Sequence, residues 1–575
     1  MESLIHRKIL KANLRLGYMH MSLAFGWFLL IFFGTIEADV FGLKHLNAPY
    51  KSIFFKFFNP EHGRAGFEAF YSFLMDLILA FILSGLLLAV IKRFSSKVVG
   101  MKRTTKLKFL DKVALTSLWL IFPSRLVAES LTSGAFGTGS FLTGSLGSLL
   151  VTFLPAQQLA YPFWWLYSLS LGTFFILLPL TRYMHIPTEL FLIFMRNSGI
   201  RTGDKTGSYS ETQTYSCSSC GICIDACQLN FSAGITDIQS AYLLKGIRND
   251  LDVSEIAHNC LMCGRCDQKC PVGIELSPIR MIARRGGMKL NKDKSILKRY
   301  FPDPQSIVTT SQNDKPVFDW LPEIKTKQAD VLYFAGCMTH LTPSIKESMT
   351  KILDASGVNW SFIDEEGGVC CGRPLMLAGQ DKEARELINY NSQMIWKSGA
   401  HTLVTSCPIC YKIFKESYYL DVEVLHHTQY LKMLIDDGSL KLNFLPMKVA
   451  YHTPCELGRG SGVFDEPKEV LKHVARLQKT NFEDENSLCC GGSLGNLKLS
   501  YRNKRQIAIN AAAELTKGNP DILATACPLC KKTFSGATST RIADISEIVA
   551  EAIAVPATKK NVSKKIKPEK VLANI

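Results

Sequence analysis

Eight of the 18 cysteines fall into two groups with the same spacing, C-x2-C-x2-C-x3-C, and Pro271 follows the second group. Three thiolates at such gaps can wrap a loop around one [4Fe-4S] cubane, while the fourth starts a helix directed at a neighbouring cubane. The spacing therefore predicts two ferredoxin-type clusters. The predicted ligands are Cys217, Cys220, Cys223 and Cys270 for one cluster, and Cys260, Cys263, Cys266 and Cys227 for the other.

Other uses of these eight cysteines fit the sequence less well. Zinc also binds C-x2-C pairs, but four evenly packed cysteines ending in C-P are not the spacing of a zinc ribbon. Disulfides are disfavoured on the reducing side of a membrane. The stretch between the groups has a helical apolar pattern, so the region resembles the α-helical ferredoxin domain of succinate dehydrogenase and heterodisulfide reductases.

The other ten cysteines form an internal duplication. Their neighbourhoods repeat as GVCCGRP against SLCCGGS and as LVTSCPICYKIF against ILATACPLCKKTF. Five cysteines recur with a displacement of 118 to 120 residues, which marks a duplicated domain. The two sets are Cys337, Cys370, Cys371, Cys407 and Cys410, and Cys455, Cys489, Cys490, Cys527 and Cys530.

Each copy has the pattern of an α/β domain. Short apolar runs such as DVLYFAG and DILATA end near a cysteine, and helical patterns follow them. Functional groups commonly lie at the ends of strands in α/β sheets. Gly372 and Gly491 permit a positive-φ turn after each double cysteine, and Pro408 and Pro528 stiffen the C-P-x-C loops.

Five thiols per copy exceed the four that a cubane needs. The arrangement resembles the CCG motif of the B-type and D-type subunits of heterodisulfide reductase, also seen in iron–sulfur proteins of glycolate and lactate oxidation systems. The resemblance implies a non-cubane [4Fe-4S] cluster in each copy, at which a disulfide is cleaved, with all ten cysteines as catalytic residues. An ordinary cluster or a redox-inactive zinc in each copy stays open. His340 and His452 lie near these cysteines and are expected to be packing or surface residues.

Four apolar stretches near the N-terminus, at about 16–37, 70–91, 110–131 and 163–184, have the length of membrane spans. The Gly/Ser-rich run 134–154 is expected to be a re-entrant or loop segment. The connection 92–108 carries basic residues and no acid, whereas 132–162 has no charge. Connections rich in Lys and Arg stay on the cytoplasmic side of a membrane. We expect a multi-pass protein of the cell inner (cytoplasmic) membrane, with both termini and the iron–sulfur domains cytoplasmic.

Two histidines bound the apolar region, since His20 opens the first predicted span and His185 closes the fourth. Antiparallel threading would place both at the cytoplasmic face, where paired imidazoles can hold one b-type haem. A location in the headgroup zone without haem is the alternative. RLGYMHMSLAFGWFLLIFFGT and LPLTRYMHIP resemble the gamma-type cytochrome b module of respiratory nitrate reductase and of the E-type subunit of heterodisulfide reductase.

The sequence thus predicts a multidomain chain with a four-helix transmembrane bundle, an α-helical two-cluster ferredoxin domain and duplicated α/β CCG domains. The predicted boundaries are 1–200, 201–290, a linker at 291–330, 331–440, 441–550 and a basic tail at 551–575. The net charge is +16, and much of the positive charge flanks apolar segments or lies in this tail, which favours membrane lipid and not nucleic acid as the partner.

The resemblances together imply an oxidoreductase that passes electrons between quinone and a disulfide/thiol couple. No G-x-G-x-x-G after a strand and no Walker loop occur, so flavin, nicotinamide and ATP are not expected in this chain. The alternative is an electron relay from a separate flavin dehydrogenase, of the glycolate or lactate type, to quinone.

Overall fold

The computed structural model describes residues 9–10, 13–41, 67–95, 107–137, 139–203, 206–290, 318, 327–365, 369–494 and 499–554. The first connection between predicted spans, most of the predicted linker and the basic tail lie outside these residues. The described residues form two compact units. The first unit comprises the described residues of Met1–Asn313, Pro374–Asp381 and Ser493–Ile507. The second unit comprises the remaining described residues.

Long apolar helices begin the first unit, as expected for uninterrupted runs of apolar residues. They are α1 (Leu14–Phe41), α2 (Phe67–Phe94), α3 (Phe109–Phe136), α4 (Thr143–Phe153) and α5 (Ala156–Leu177), followed by a 3-10 turn at Arg182–Met184 and by α6 (His185–Asn197). All four predicted spans are thus largely helical. The run predicted as a loop or re-entrant segment contains α4, whose first turn donates hydrogen bonds to the buried Asp76 carboxylate: Oδ2 accepts from Leu142 N at 2.8 Å and from Thr143 N at 3.0 Å.

Among the described residues, two helices are long and apolar enough to cross a membrane, Leu14–Ile36 and Ala69–Phe94. A third crossing would require α5 and the segment Arg182–Asn197 to act as one span, although they meet at a bend of 81°. α3 does not qualify, because charged residues such as Arg125 and Glu129 and several small polar residues lower its hydropathy. The four-helix transmembrane bundle therefore stays a prediction.

The long helices share one buried apolar cluster. It includes Leu30 of α1, Ile82 of α2, Phe122 of α3 and Phe174 of α5. The ring of Trp27 packs edge-on against Phe122, with 5.7 Å between the ring centroids. Aromatic packing of this kind adds to the stabilisation from buried area, and here it joins α1, which carries His20, to α3.

Short helices separate the eight cysteines that follow. They are α7 (Ser208–Tyr215), α8 (Ile222–Asp225), α9 (Gln228–Phe231), α10 (Ser240–Arg248), α11 (Ser254–His258), α12 (Arg265–Lys269) and α13 (Leu276–Leu290). The helical pattern predicted between the two motifs corresponds to α10 and α11. A small core around Leu244, Ile274 and Ile279 packs against the cysteine loops.

The second unit contains two parallel four-stranded sheets of the same topology, which confirms the duplicated α/β prediction. Their strand orders are β2-β1-β3-β4 and β6-β5-β7-β8. The strands are β1 (Val331–Phe334), β2 (Trp360–Phe362), β3 (Thr402–Thr405), β4 (Glu423–His426), β5 (Lys448–His452), β6 (Arg476–Gln478), β7 (Ile522–Thr525) and β8 (Arg541–Asp544). The central strands β1 and β7 are buried throughout, because helices cover both faces of a parallel sheet.

Helices lie between successive parallel strands and form the crossover connections of each sheet. They are α14 (Gly336–His340), α15 (Pro343–Ser356), α16 (Arg373–Leu377), α17 (Asp381–Lys397), α18 (Pro408–Ser417), α19 (His427–Asp436), α20 (Gly458–Ser461), α21 (Asp465–Val474), α22 (Tyr501–Leu515), α23 (Pro528–Ser535) and α24 (Ile545–Ala552), with a 3-10 turn at Asp484–Asn486.

Candidate functional site

The two ferredoxin-type motifs share one local backbone geometry. The residue two positions after the first cysteine lies at positive φ, 54° for Ser219 and 52° for Met262, a conformation that is uncommon outside glycine. Its N–H donates to the sulfur of that cysteine, at 3.4 Å from Ser219 N to Cys217 Sγ and 3.3 Å from Met262 N to Cys260 Sγ. An N–H directed at sulfur favours the thiolate, which is the form that binds iron.

The structure brings the eight thiols together in the two predicted sets. Burial and the charges of neighbouring thiols raise the pKa of Cys223 and of Cys227, and these neighbours come from both motifs. Cys223 has Cys270 among its neighbours, whereas Cys227 has Cys260 and Cys263. We name them the first thiol set (Cys217, Cys220, Cys223 and Cys270) and the second thiol set (Cys260, Cys263, Cys266 and Cys227).

The chemistry of these sets fits iron–sulfur clusters. Burial is the largest cause that raises the pKa of Cys227 and of Cys270, each to about 12. Buried thiols with such pKa values keep their protons at neutral pH, and adjacent thiolates would repel one another. Iron supplies the positive charge that displaces the protons. The role of each thiol as a ligand stays a prediction.

The fourth cysteines of the two motifs differ in their relation to helices. Cys227 directly precedes α9, as predicted. Cys270 instead follows the end of α12, and Pro271 opens a turn after it, so the prediction that it starts a helix is wrong. Gly273, at a φ of 72°, turns the chain before α13 can begin.

Four cysteines of the duplicated domains, Cys337, Cys407, Cys455 and Cys527, lie just beyond the ends of strands. Cys407 and Cys527 directly precede α18 and α23, whose first residues are Pro408 and Pro528. Proline suits the first turn of a helix because its φ is already helical and its missing N–H has no partner there. The carboxyl ends of parallel strands meet at one edge of a sheet, so this topology gathers each cysteine set at one edge.

The double cysteines use the same turn as the ferredoxin-type motifs. Gly372 and Gly491 lie at φ of 85° and 86°, which confirms the predicted positive-φ turn. Their N–H groups donate to Cys370 Sγ and Cys489 Sγ, both at 3.4 Å. All four cysteine sets therefore contain an N–H···S bond from the residue two positions after a cysteine.

Within each copy the five thiols form a continuous chain of hydrogen bonds. Its order is Cys337, Cys370, Cys371, Cys410 and Cys407 in the first copy, and Cys455, Cys489, Cys490, Cys530 and Cys527 in the second. Hydrogen bonds from the two adjacent thiols lower the pKa of the central Cys371 and Cys490 to about 6. Each copy thus has one central cysteine whose pKa lies below the ordinary value of a thiol.

Three buried polar residues that sequence reasoning missed lie between the two copies. His426, His427 and Asp544 are all 0% exposed. His427 Nε2 of the first copy lies 3.1 Å from Asp544 Oδ1 of the second, and the rings of His426 and His427 are 4.3 Å apart. His426 and Asp544 are equivalent, since each ends the fourth strand of its copy. The repeat of HHTQ as DISE was the signal that could have found them.

His340 and His452 have different surroundings. His340 Nε2 lies 3.3 Å from Asp364 Oδ2, which also accepts from Gly336 N at 2.7 Å. His452 is fully buried, with Nε2 at 2.9 Å from Leu488 O. Burial lowers the pKa of His452 to about 4, so its imidazole is neutral and serves packing.

The two candidate haem histidines line the same cavity, of about 240 Å³. Its wall includes Trp27 and Phe122 and also Cys220 of the first thiol set. His185 Nδ1 lies 2.7 Å from Arg182 O, and a carbonyl can only accept, so Nδ1 carries the proton and the neutral ring has its lone pair on Nε2. A histidine that ligates a metal typically has its other ring nitrogen bonded in this way, so this bond suits His185 to a ligand role, and a haem held by His20 and His185 stays a prediction.

In the described ranges no three His, Cys, Asp or Glu side chains are arranged around a single-ion site. The geometric support for iron is therefore the closeness of the thiols within each set.

Two families match the chain. The "Cysteine-rich domain" family matches residues 331–415 and 449–535, and the "4Fe-4S dicluster domain" family matches residues 213–274.

Curated relatives cover different parts of the chain. The D-type subunit of the dihydromethanophenazine:CoB–CoM heterodisulfide reductase of Methanosarcina mazei is 30% identical over 52% of this chain and 78% of its own length. The "EtfAB:quinone oxidoreductase" of Syntrophomonas wolfei is 26% identical over 53% of this chain and 47% of its own. The "Probable iron-sulfur-binding oxidoreductase FadF" of Bacillus subtilis is 22% identical, but over 95% of this chain and 90% of its own.

The fold, the cysteine sets and these relatives define an oxidoreductase with [4Fe-4S] clusters. The chain belongs to the iron–sulfur oxidoreductase family that includes the D-type subunit of heterodisulfide reductase. The fusion to a membrane cytochrome b module stays a prediction.

Proposed function

We propose that this chain is a membrane-bound oxidoreductase that exchanges electrons with quinone through its N-terminal helices and with a soluble redox couple through its duplicated domains. The observation that supports it is the cavity lined by His20, His185 and Cys220. One wall carries the candidate haem ligands and another a thiol of the first set. An electron carrier bound by the helices would therefore lie next to a cysteine of the dicluster region.

The residues of the chain prepare the sites for the groups they would hold. When bound, iron–sulfur clusters and haem supply one-electron transfer. The N–H groups of Ser219 and Met262 donate to the sulfurs of Cys217 and Cys260 and would orient them before metal binds. Arg182 fixes the tautomer of His185 through its carbonyl, and Lys92 with Arg182 places positive charge at the cavity, where it would attract the acidic groups of a ligand.

At the soluble end we propose a disulfide/thiol couple. A disulfide takes up two electrons and two protons to give two thiols, and oxidation of a quinol to quinone supplies both. Five thiols per copy exceed the requirement of a cubane, and the same excess is present twice. The relation to the D-type subunit of heterodisulfide reductase supports this assignment.

A second candidate is an electron relay from a flavoprotein to quinone. The relative from Syntrophomonas wolfei has EtfAB and quinone in its name, and this sequence has no flavin-binding motif of its own. In this alternative a flavoprotein dehydrogenase docks at the duplicated domains and delivers electrons there.

Purification without air, with quantification of iron, sulfide and haem, tests the shared part of both candidates. We expect four clusters and one haem per chain. The purified chain is then assayed for quinol-dependent reduction of disulfides and for reduction of quinone by a reduced flavoprotein. Disulfide turnover by the isolated chain supports the first candidate, and quinone reduction only with the flavoprotein supports the second. A folded preparation without iron contradicts both.

The proposed membrane topology has its own test. We propose four spans, with both termini and the cysteine-rich parts on the cytoplasmic side of the inner membrane. Reporter fusions after residues 100 and 140 should report opposite sides, because the first of these connections is basic and the second is uncharged. Reporters that give the same side contradict a crossing by α3.

A further inference from the structure

The double cysteine of the first copy has a side-chain hydrogen bond at each of its two carbonyls. The Tyr418 hydroxyl donates to Cys371 O at 3.0 Å, and Asn391 Nδ2 donates to Cys370 O at 3.0 Å. The same Nδ2 also donates to the Tyr418 oxygen at 3.0 Å. These bonds form one network, in which both N–H groups of the amide and the O–H group of the phenol are used.

Tyr418 bonds to the peptide group that also contacts the sulfur of Cys370. The carbonyl of Cys371 and the N–H of Gly372 belong to one peptide group, and this N–H donates to Cys370 Sγ at 3.4 Å. A trans peptide group is planar, with its C=O and N–H on opposite sides, so a bond that holds the oxygen also holds the direction of the N–H. A hydrogen bond accepted by the carbonyl also polarises the N–H and strengthens the bond that it donates. The phenol thus acts on the sulfur through the backbone.

The protein encloses both side chains of this network. Asn391 is 0% exposed and Tyr418 is 6% exposed. The ring of Tyr418 packs edge-on against Phe414, with 4.6 Å between the centroids, and Phe414 packs in the same way against Phe334. Burial raises the pKa of Tyr418, and the charges of three thiols of the same copy add to this effect. The hydroxyl therefore lies close to the cysteine set and keeps the proton that it donates.

The second copy has the asparagine but not the tyrosine. Asn510 of α22 lies 119 residues after Asn391, which is the displacement of the double cysteines. In the first copy Tyr418 directly follows α18, whereas Gly536 directly follows the shorter α23. The sequence between α23 and β8 contains no tyrosine. An effect of the tyrosine should therefore be confined to the first copy.

We propose that Tyr418 is a positioning residue of the first copy, which directs the Gly372 N–H at Cys370 Sγ and so holds the two adjacent sulfurs at one site. Asn391 supports it by holding the hydroxyl and the preceding peptide group. The inference rests on the proposed cluster of the first copy. Hydrogen bonds to the sulfurs of a cluster are among the factors that set its reduction potential. Loss of the phenol O–H should therefore change the properties of this cluster alone.

Tyr418→Phe tests this role, because it removes the hydroxyl and keeps the ring. The full-length protein is purified without air, and its EPR spectra are recorded across a redox titration. The double variant Cys370→Ser/Cys371→Ser, with three thiols left in the first copy, identifies the signal of that copy. We expect Tyr418→Phe to change the line shape of this signal and to lower its midpoint potential, with the other signals unchanged. An unaltered signal of the first copy overturns the inference.

Hydrogen exchange measures the bond at Gly372 directly. Mass spectrometry of the peptide that contains Gly372 reports the protection of its N–H. We expect exchange there to be about tenfold faster in Tyr418→Phe, as for the loss of one buried hydrogen bond. The peptide that contains Gly491 should exchange as in the unmodified chain. Faster exchange in both copies would indicate a general loss of stability and overturns the inference.

Tyr419 provides the matched control. It follows Tyr418 in the chain but is fully exposed, so Tyr419→Phe should leave the spectra and the exchange unchanged. Asn391→Ser should change the same signal as Tyr418→Phe, because it removes the amide that holds the hydroxyl.

The iron content of Tyr418→Phe is also decisive. Loss of iron from the first copy alone supports the positioning role, whereas loss from both copies overturns it. Absence of iron and of EPR signals from the unmodified chain would instead contradict the proposed function, which separates the two failures.

Discussion

The dicluster region and the duplicated domains both gather thiols, but they arrange them differently. In the dicluster region each set contains three thiols of one motif and one of the other, and these thiols raise one another's pKa through charge. In each duplicated domain five thiols lie next to one another, and hydrogen bonds from two neighbours lower the pKa of the central one. Both use the same N–H···S turn. The difference therefore lies in the number and spacing of the thiols, four per set in the first region and five per copy in the second.

The largest expected effect is the loss of one thiol from the dicluster region. Cys263→Ala leaves three thiols in the second set, too few for a cubane, so one cluster should be lost. Transfer between quinol and the duplicated domains should fall to background, as measured by anaerobic rapid mixing. Gln268→Ala, an exposed neighbour on α12, is the control and should transfer normally. Unimpaired transfer in Cys263→Ala contradicts the proposed wiring.

Loss of a terminal thiol in a duplicated domain should have a smaller effect. Cys337→Ser leaves four thiols in the first copy, enough for a cubane. We expect iron content near that of the unmodified chain but an altered EPR signature of the oxidised protein, and Cys455→Ser should do the same in the second copy. Complete loss of iron from the altered copy would remove the distinction between the two regions.

The buried pair between the two copies should contribute strongly to stability. Asp544→Ala removes the cap of α24, worth about 1 kcal/mol, and leaves buried His427 without the carboxylate that lies 3.1 Å from it, so the loss should exceed that of the cap alone. Thermal unfolding under anaerobic conditions measures the change. Asp437→Ala removes a similar local hydrogen bond, to Ser439 N, at an exposed site and should change stability little. Equal effects of the two variants would show that the pair between the copies is unimportant.

The smallest effect concerns acid. Burial lowers the pKa of His452 to about 4, whereas the unfolded residue titrates near 6.5. Between these values the unfolded chain binds a proton that the folded chain does not, so stability falls as the pH decreases through this window. From pH 7 to pH 5 the loss is about 2 kcal/mol. His452→Gln should lose that much less over the same range, and an identical pH dependence would argue against a neutral buried imidazole.

Much of the cysteine arrangement could be predicted, because local spacing determines it. The spacing indicated the two thiol sets, and the repeat indicated the α/β duplication and the turns at Gly372 and Gly491. The surroundings of the charged residues of α3 were harder to predict. Arg125 and Glu129 pair at 2.6 Å within this helix, and a hydropathy pattern does not reveal such pairing.

The spacing of the motifs did not predict contacts that join distant residues. The partners of Arg284 on α13 are backbone carbonyls, which every residue has. The aligned HHTQ and DISE segments could have marked His427 and Asp544, but the pairing of these two residues depends on how the copies pack. Cys270 ended a helix and did not start one, because Gly273 turned the chain.

Divergence after duplication explains why a histidine of the first copy, His427, faces a carboxylate of the second, Asp544. Had the molecule been an association of two identical first copies, histidine would have faced histidine; with two identical second copies, Asp544 would have faced the aliphatic Ile545. Joining both halves in one polypeptide lets the base evolve on one side and the acid on the other. A symmetric ancestor would have had no such complementary partnership, so the linkage of the halves makes their mutual recognition heterotypic.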